Sequence, residues 1–215
     1  MGCMSETSQI AECPPKRPAG RPREFDRDTA LQAAMRVFWN HGYEGASLTE
    51  LTEAMGISRP SLYATFGDKA GLFRETVATY TVGRDHIFES ALALPTAREV
   101  ADRILRPNPT SCSNPDNPAG CFLVQGALVG SEDSDSMRQE LATIRAQGTE
   151  QLAERFKRAR DEGDLPPEVD PTTLAHYVSS LSYGIAVQAS SGVSLKQLTG
   201  VVDLAMANWP GTHNS

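Results

Sequence analysis

SLTELTEAMGISRPSLYATFGDK, residues 47–69, contains two short helices and the turn between them. Ser47 opens the first helix with Glu50 three residues on, a capping box in which side chain and backbone satisfy each other's orphan donors. Leu48, Leu51, Thr52 and Met55 share one face of that helix, and Gly56 ends it. Ser58 caps the second helix, and Arg59 and Pro60 fill its first turn, where proline's missing N–H costs nothing. That helix runs to about Phe66, Gly67 breaks it, and Asp68 caps the next. Two helices around a tight glycine turn form a helix-turn-helix layout, which is also the layout of an ordinary αα corner. The corner is the commoner of the two, and the residue types are compatible with the first. The second helix is short enough to enter a major groove and would offer Arg59, Ser61 and Tyr63 there. Ser58, Ser61, Tyr63 and Thr65 are neutral donors suited to phosphates, as are the free N–H groups at both helix starts.

Outward from this unit, residues 1 to about 24 are rich in Pro, Gly, Ser, Lys and Arg and end in a basic run, KRPAGRPR at 16–23. They read as a flexible basic arm whose Arg21 and Arg23 would lie along a nucleic-acid backbone or in a minor groove. The full chain carries 20 Lys+Arg against 27 Asp+Glu, a net charge of −7, which by itself argues against nucleic acid. The charge is uneven. Residues 1–82 hold 9 basic and 10 acidic residues, and residues 83–215 hold 11 and 17. The acid excess therefore sits away from the arm, and distribution matters more than the total. Between arm and turn, Leu31, Ala34, Met35 and Phe38 recur at helical spacing, ending near Gly42.

These residues resemble the N-terminal domain of the tetracycline-repressor (TetR) family of bacterial transcriptional regulators. The match spans about residues 20–82 and is carried by Phe38, Gly42, Tyr43, Leu51, Thr52, Met55, Gly56, Ile57, Ser58, Leu62, Tyr63, Phe66 and Lys69. The resemblance implies that Ser47, Thr49, Arg59, Pro60, Ser61, Tyr63 and Lys69 face DNA, while Phe38, Leu51, Leu62 and Phe66 hold a three-helix core. It also implies a homodimer, a double-stranded DNA operator, and an all-helical C-terminal domain with a pocket for a small-molecule effector. The expected organisation is an arm at 1–24, a DNA-binding domain at 25–70 and an effector and dimerisation domain at 71–215.

No strand signal appears anywhere, and the chain reads as all-α with about nine helices. After 68, these are expected at about 69–92, 96–106, 121–130, 135–162, 171–190 and 194–209, with 107–119 as a proline-rich loop. The segment Gly120-Cys121-Phe122-Leu123-Val124 resembles a Gly-Cys-[LF]-[LIV] motif of one TetR subgroup. Cys121, at the start of a helix, is a candidate thiol sensor of oxidants or electrophiles, because a helix N-terminus favours thiolate. Equally, it is a buried structural cysteine, and a reversible pair with Cys112 is a third option. Phe88, Cys121, Phe122, Gln125, Tyr177 and Tyr183 are the expected pocket residues. The two last helices are rich in small and apolar residues, so Leu174, Val178, Leu181, Ile185, Leu198, Val202 and Met206 are the expected dimer contacts.

Several classes are excluded. His41, His86, His176 and His213 are scattered without a ligand partner at helical spacing, so no metal site is expected. No cofactor motif, phosphate loop or catalytic triad is present, and no base lies near Cys121, which argues against an enzyme. Absence of an 18-residue apolar run, and of an apolar leader in 1–22, predicts a cytoplasmic protein with no membrane partner. The expected function is a ligand-responsive repressor released from a palindromic operator. The alternatives are a thiol sensor through Cys121 and an effector-independent DNA-binding protein.

Overall fold

The computed structural model describes residues 26–126 and 135–211. The basic arm with Arg21 and Arg23 lies outside the described residues, as does the second half of the apolar segment that ends at Gly130. Ten helices and no strands occur among the described residues: α1 Arg27–Gly45, α2 Leu48–Met55, α3 Arg59–Phe66, α4 Lys69–Leu92, α5 Ala97–Leu105, α6 Asn108–Cys112, α7 Phe122–Gln125, α8 Asp135–Asp161, α9 Pro171–Ser190 and α10 Leu195–Ala207. Eight of the nine expected helices are present; of the ninth, expected at 121–130, Phe122–Gln125 is helical and 127–130 lie outside the described residues. The tenth is α6, inside the stretch read as a loop. Its prolines do not forbid it, because Pro107 caps the turn and Pro109 sits in its first residues, where no amide donor is needed.

Two apolar clusters organise the chain. The first is the head, α1–α3 closed by Leu72, Phe73 and Val77 of α4. Phe122 and Leu123 of α7 and Met137 and Leu141 of α8 join the same cluster, so its core reaches well past residue 70. The second cluster is the body, where α5, α6, α8, α9 and α10 pack together, capped by Trp209 against Phe156. Helix α4 spans both. Its far end is held by Arg155 of α8, whose guanidinium donates to the Leu92, Leu94 and Pro95 carbonyl oxygens at 3.1, 2.7 and 2.8 Å. Burial, with Arg158 nearby, lowers the Arg155 pKa against the pull of Glu162 and Asp164. Near its start, Arg74 donates to both carboxylate oxygens of Glu140 of α8, Nη2 to Oε1 at 2.8 Å and Nε to Oε2 at 3.1 Å.

The body also corrects the expected dimer contacts. Leu174, Val178, Ile185, Leu198, Val202 and Met206 are all buried in the chain's own core, whereas Leu181 packs against it and stays partly exposed. The apolar stripe seen in sequence is therefore spent within the body, α9 on α5, α6 and α8 and α10 on α5, α6 and α9. On the opposite faces Tyr177, Val187 and Leu204 stand exposed, Leu204 at 67%.

The junction between α3 and α4 is sterically tight. A methyl group on Gly71 would overlap the Phe66 carbonyl oxygen, a backbone atom that cannot swing aside. Gly71→Ala is expected to lower stability by about 1–3 kcal/mol, read as a reduced thermal midpoint, because the α3–α4 corner must shift to admit it.

Candidate nucleic-acid interface

The head's geometry follows from its caps. Ser47 Oγ accepts the Glu50 amide at 3.1 Å, and the Ser47 amide donates to Glu50 Oε2 at 2.9 Å. The Ser47 hydroxyl first, and the Ser47 amide second, hold the Glu50 carboxyl below its ordinary pKa. Gly56 adopts φ 66°, ψ 28°, a left-handed conformation that only glycine enters cheaply, and turns the chain out of α2. Ser58 Oγ then accepts the Ser61 amide at 3.2 Å and starts α3. Leu51, Leu62 and Phe66 are buried beneath, with Phe38 of α1.

The remaining side chains of α2 and α3 point to solvent. Ser47, Thr49, Ser58, Arg59 and Pro60 are exposed, Tyr63 is exposed at 46%, and Ser61 is half-buried. They lie on one surface made by the start of α2 and the length of α3. Two features were not legible from spacing. Arg59 Nη2 donates to Thr49 Oγ1 at 2.7 Å, so the recognition-helix guanidinium is tethered across to α2. Lys69 is turned partly inward: Nζ donates to the Glu44 carbonyl at 3.3 Å and sits 4.8 Å from the Tyr43 ring centroid. Desolvation lowers the Lys69 pKa, against the pull of Glu44 and Glu50. Lys69 therefore ties α4 to the end of α1 as well as lending charge to this surface.

A separate cavity of about 380 Å³ lies where head and body meet. Of the expected pocket residues, Phe88, Cys121 and Tyr183 line it. Phe122 does not: it is fully buried in the head core against Trp39, Phe73 and Tyr80. Tyr177 points outward at 43% exposure, and Gln125 packs beneath Gly120 rather than on the wall. Sequence reasoning missed Trp39, Tyr80, Arg84 and Arg103, which come from three different helices. Both described cysteines border the cavity as free thiols, and Tyr80 Oη lies 3.3 Å from Cys121 Sγ. Burial, with Cys121 nearby, pushes the Cys112 thiol up to about 12. Helix α7, which Cys121 caps, is a single four-residue turn. Among the described residues no group of three or more potential metal ligands occurs, and no helix is long and apolar enough to cross a membrane.

Residues 30–76 match the family model described as "Bacterial regulatory proteins, tetR family", and residues 109–191 match "Tetracyclin repressor-like, C-terminal domain". The chain belongs to the tetR family. The HTH-type transcriptional repressor ComR of Escherichia coli (strain K12) is 33% identical over 198 residues, covering 91% of this chain and 94% of ComR. The repressor BdcR of the same strain is 29% identical over 192 residues, covering 88% and 91%. A solved structure of a cysteine-substituted TetR-family regulator, CifR, complexed with 26-base-pair operator DNA superposes with a TM-score of 0.83 at 43% identity, covering 88% of this chain and all of that one. A TetR regulator from Rhodococcus sp. RHA1 follows at 38% identity and TM-score 0.60, covering 87% and 100%. This tetR-family chain is thus a DNA-binding transcriptional regulator and not an enzyme, and its helix-turn-helix is the DNA-binding element.

Arg59→Ala is expected to weaken operator binding by about 1–3 kcal/mol and to relax preference at one base pair, as for a base-reading guanidinium. Thr49→Val removes the tether together with one hydroxyl of the exposed surface, keeps the guanidinium, and should cost less. Equal losses on operator and on random duplex, measured by fluorescence anisotropy at fixed salt, would place Arg59 on phosphate instead.

Proposed function

We propose that this chain is a homodimeric repressor that reads an inverted-repeat operator and releases it when a small effector enters the cavity between head and body. One observation carries the effector reading: Trp39 of α1, a helix of the DNA-binding head, forms part of the wall of that cavity. Helix α1 packs directly on α2, so a molecule pressing on Trp39 bears on the helix-turn-helix. Tyr80, Phe88 and Arg84 of α4 share the wall, and α4 is the helix that runs from head to body. A ten- to hundredfold change in operator affinity needs only about 1.4–2.7 kcal/mol of coupling.

The dimer would form on the faces of α9 and α10 turned away from the core. Tyr177, Leu181, Gly184 and Val187 follow one another at helical spacing on α9, with small residues that allow close approach, and Leu204 stands out from α10. Two heads joined in this way would meet half-sites about one helical turn or more apart. Arg21 and Arg23 of the arm would add backbone or minor-groove contacts, and the site of action would be the cytoplasm.

A second reading is favoured by the two thiols on the cavity wall. Peroxide would oxidise Cys112 and Cys121 to a disulfide, two thiols giving one S–S bond while the peroxide is reduced to two waters. Cys121 would react first, because the Cys112 thiol is held protonated.

Selection of bound sequences from a random duplex library tests the first reading: an inverted repeat is expected, and no enriched sequence would oppose it. Leu204→Glu should convert the dimer to monomer in sedimentation and cost most of the operator affinity, whereas an unchanged mass would move the interface elsewhere. Removing residues 1–23 should flatten the dependence of affinity on salt, since fewer counterions are then released. For the thiol reading, peroxide should give a Cys112–Cys121 linked peptide and lower operator affinity in the wild type but not in Cys121→Ser.

A further inference from the structure

We propose that the cavity takes a small organic carboxylate, its anionic end at Arg103 and Arg84 and its apolar body against Trp39, Tyr80 and Phe88. This rests on reading the cavity as the effector site and names the chemical class of the effector. The first observation is charge. The chain carries a net −7, and the acid excess lies in residues 83–215, yet no Asp or Glu is among the cavity's described lining residues. Two arginines are, Arg84 from α4 and Arg103 from α5. Placing two cations and no anion on one cavity of an acidic protein is the pattern of a site that attracts negative charge.

The second observation is unused valence. Arg84 donates Nη2 and Nε to Asp85 Oδ1 at 3.0 and 3.3 Å, which leaves other N–H groups of its guanidinium open. Arg103 has no hydrogen bond and no ion pair among the described residues, in contrast to Arg74 and Arg106, which are paired with carboxylates. A guanidinium fork matches a planar carboxylate with two parallel bonds, a geometry that favours a carboxylate over a simple halide.

The third observation is the other end. Trp39, Tyr80 and Phe88 are aromatic, with Ile104 beside them, so a bare inorganic anion would leave that wall uncovered. The buried Trp39 indole N–H has no acceptor among the described residues. At about 380 Å³ the space is at the lower end of the range for small-molecule sites, which limits the body to one ring or a short chain.

The test is calorimetric titration of the full chain with matched acid and amide pairs: phenylacetate and phenylacetamide, cinnamate and cinnamamide, hexanoate and hexanamide. At low ionic strength at least one acid should bind about tenfold tighter than its amide, and Arg84→Gln/Arg103→Gln together should erase that difference. The preference should also shrink as salt is raised. Arg103 is exposed and unpaired, so Arg103→Gln alone keeps the fold and should remove part of the preference. An amide as tight as its acid, an acid indifferent to both substitutions, or no binding by any of the six would overturn the proposal. Operator release, followed in parallel by anisotropy, separates the two readings. Arginine-dependent acid binding without operator release leaves the carboxylate site and removes the effector role; release by the amides alone keeps the effector role and removes the carboxylate.

Discussion

Six aromatic rings fix the head on the body. Phe38, Trp39 and Tyr43 of α1, Phe73 and Tyr80 of α4, and Phe122 of α7 are linked by ring contacts with centroids 5.0 to 6.2 Å apart. Phe122 touches three of them. Each edge-to-face contact adds about 0.5–1.5 kcal/mol beyond the area it buries, and the geometry is directional, so the set resists sliding as well as separation. The consequence is mechanical. The three-helix head does not hang from the body on α4 alone but shares one core with α7 and α8. Any change in the tilt of α1 must therefore be made against this cluster.

The cavity adjoins the cluster at Trp39 and Tyr80, which belong to both. That shared boundary is what gives an occupant leverage on DNA binding: a ring displaced on the cavity side is a ring displaced in the head's core. The same boundary explains why Cys121, with its thiol 3.3 Å from the Tyr80 hydroxyl, stands one residue before Phe122. Chemistry at the thiol and packing of the ring are adjacent events on one backbone turn. At the other end Arg155 clamps the end of α4 to α8, so α4 is fixed at its far end, bridged to α8 near its start by Arg74, and walls the cavity between.

How much of this could be read in the sequence depends on the range of the interaction. The caps of α2, α3 and α4 were all legible, since Ser47, Ser58 and Asp68 act within three residues. The turn at Gly56 was legible for the same reason. The exposed face of α3 followed from helical spacing, but the Arg59–Thr49 bond and the Lys69–Tyr43 contact did not, because each joins residues ten or more apart. Phe122 shows the limit most clearly. Its segment was visibly apolar, but its partners are Trp39, Phe73 and Tyr80, and nothing local distinguishes a core ring from a pocket ring. Helices α9 and α10 failed in a related way: both have apolar residues on more than one side, and spacing cannot tell which side meets the rest of the chain's own body. Arg84 and Arg103 sit on the successive helices α4 and α5, and that both line one cavity shows only in the folded chain.

The most direct test of this account is the operator affinity of Phe122→Leu, a substitution that keeps an apolar side chain in place but removes the ring contacts. If the aromatic cluster holds the head in its reading position, affinity should fall about tenfold, with helix content and oligomeric state unchanged. An operator affinity equal to wild type in a folded Phe122→Leu protein would contradict it, and would mean that the head is positioned by α4 and the α8 contacts alone.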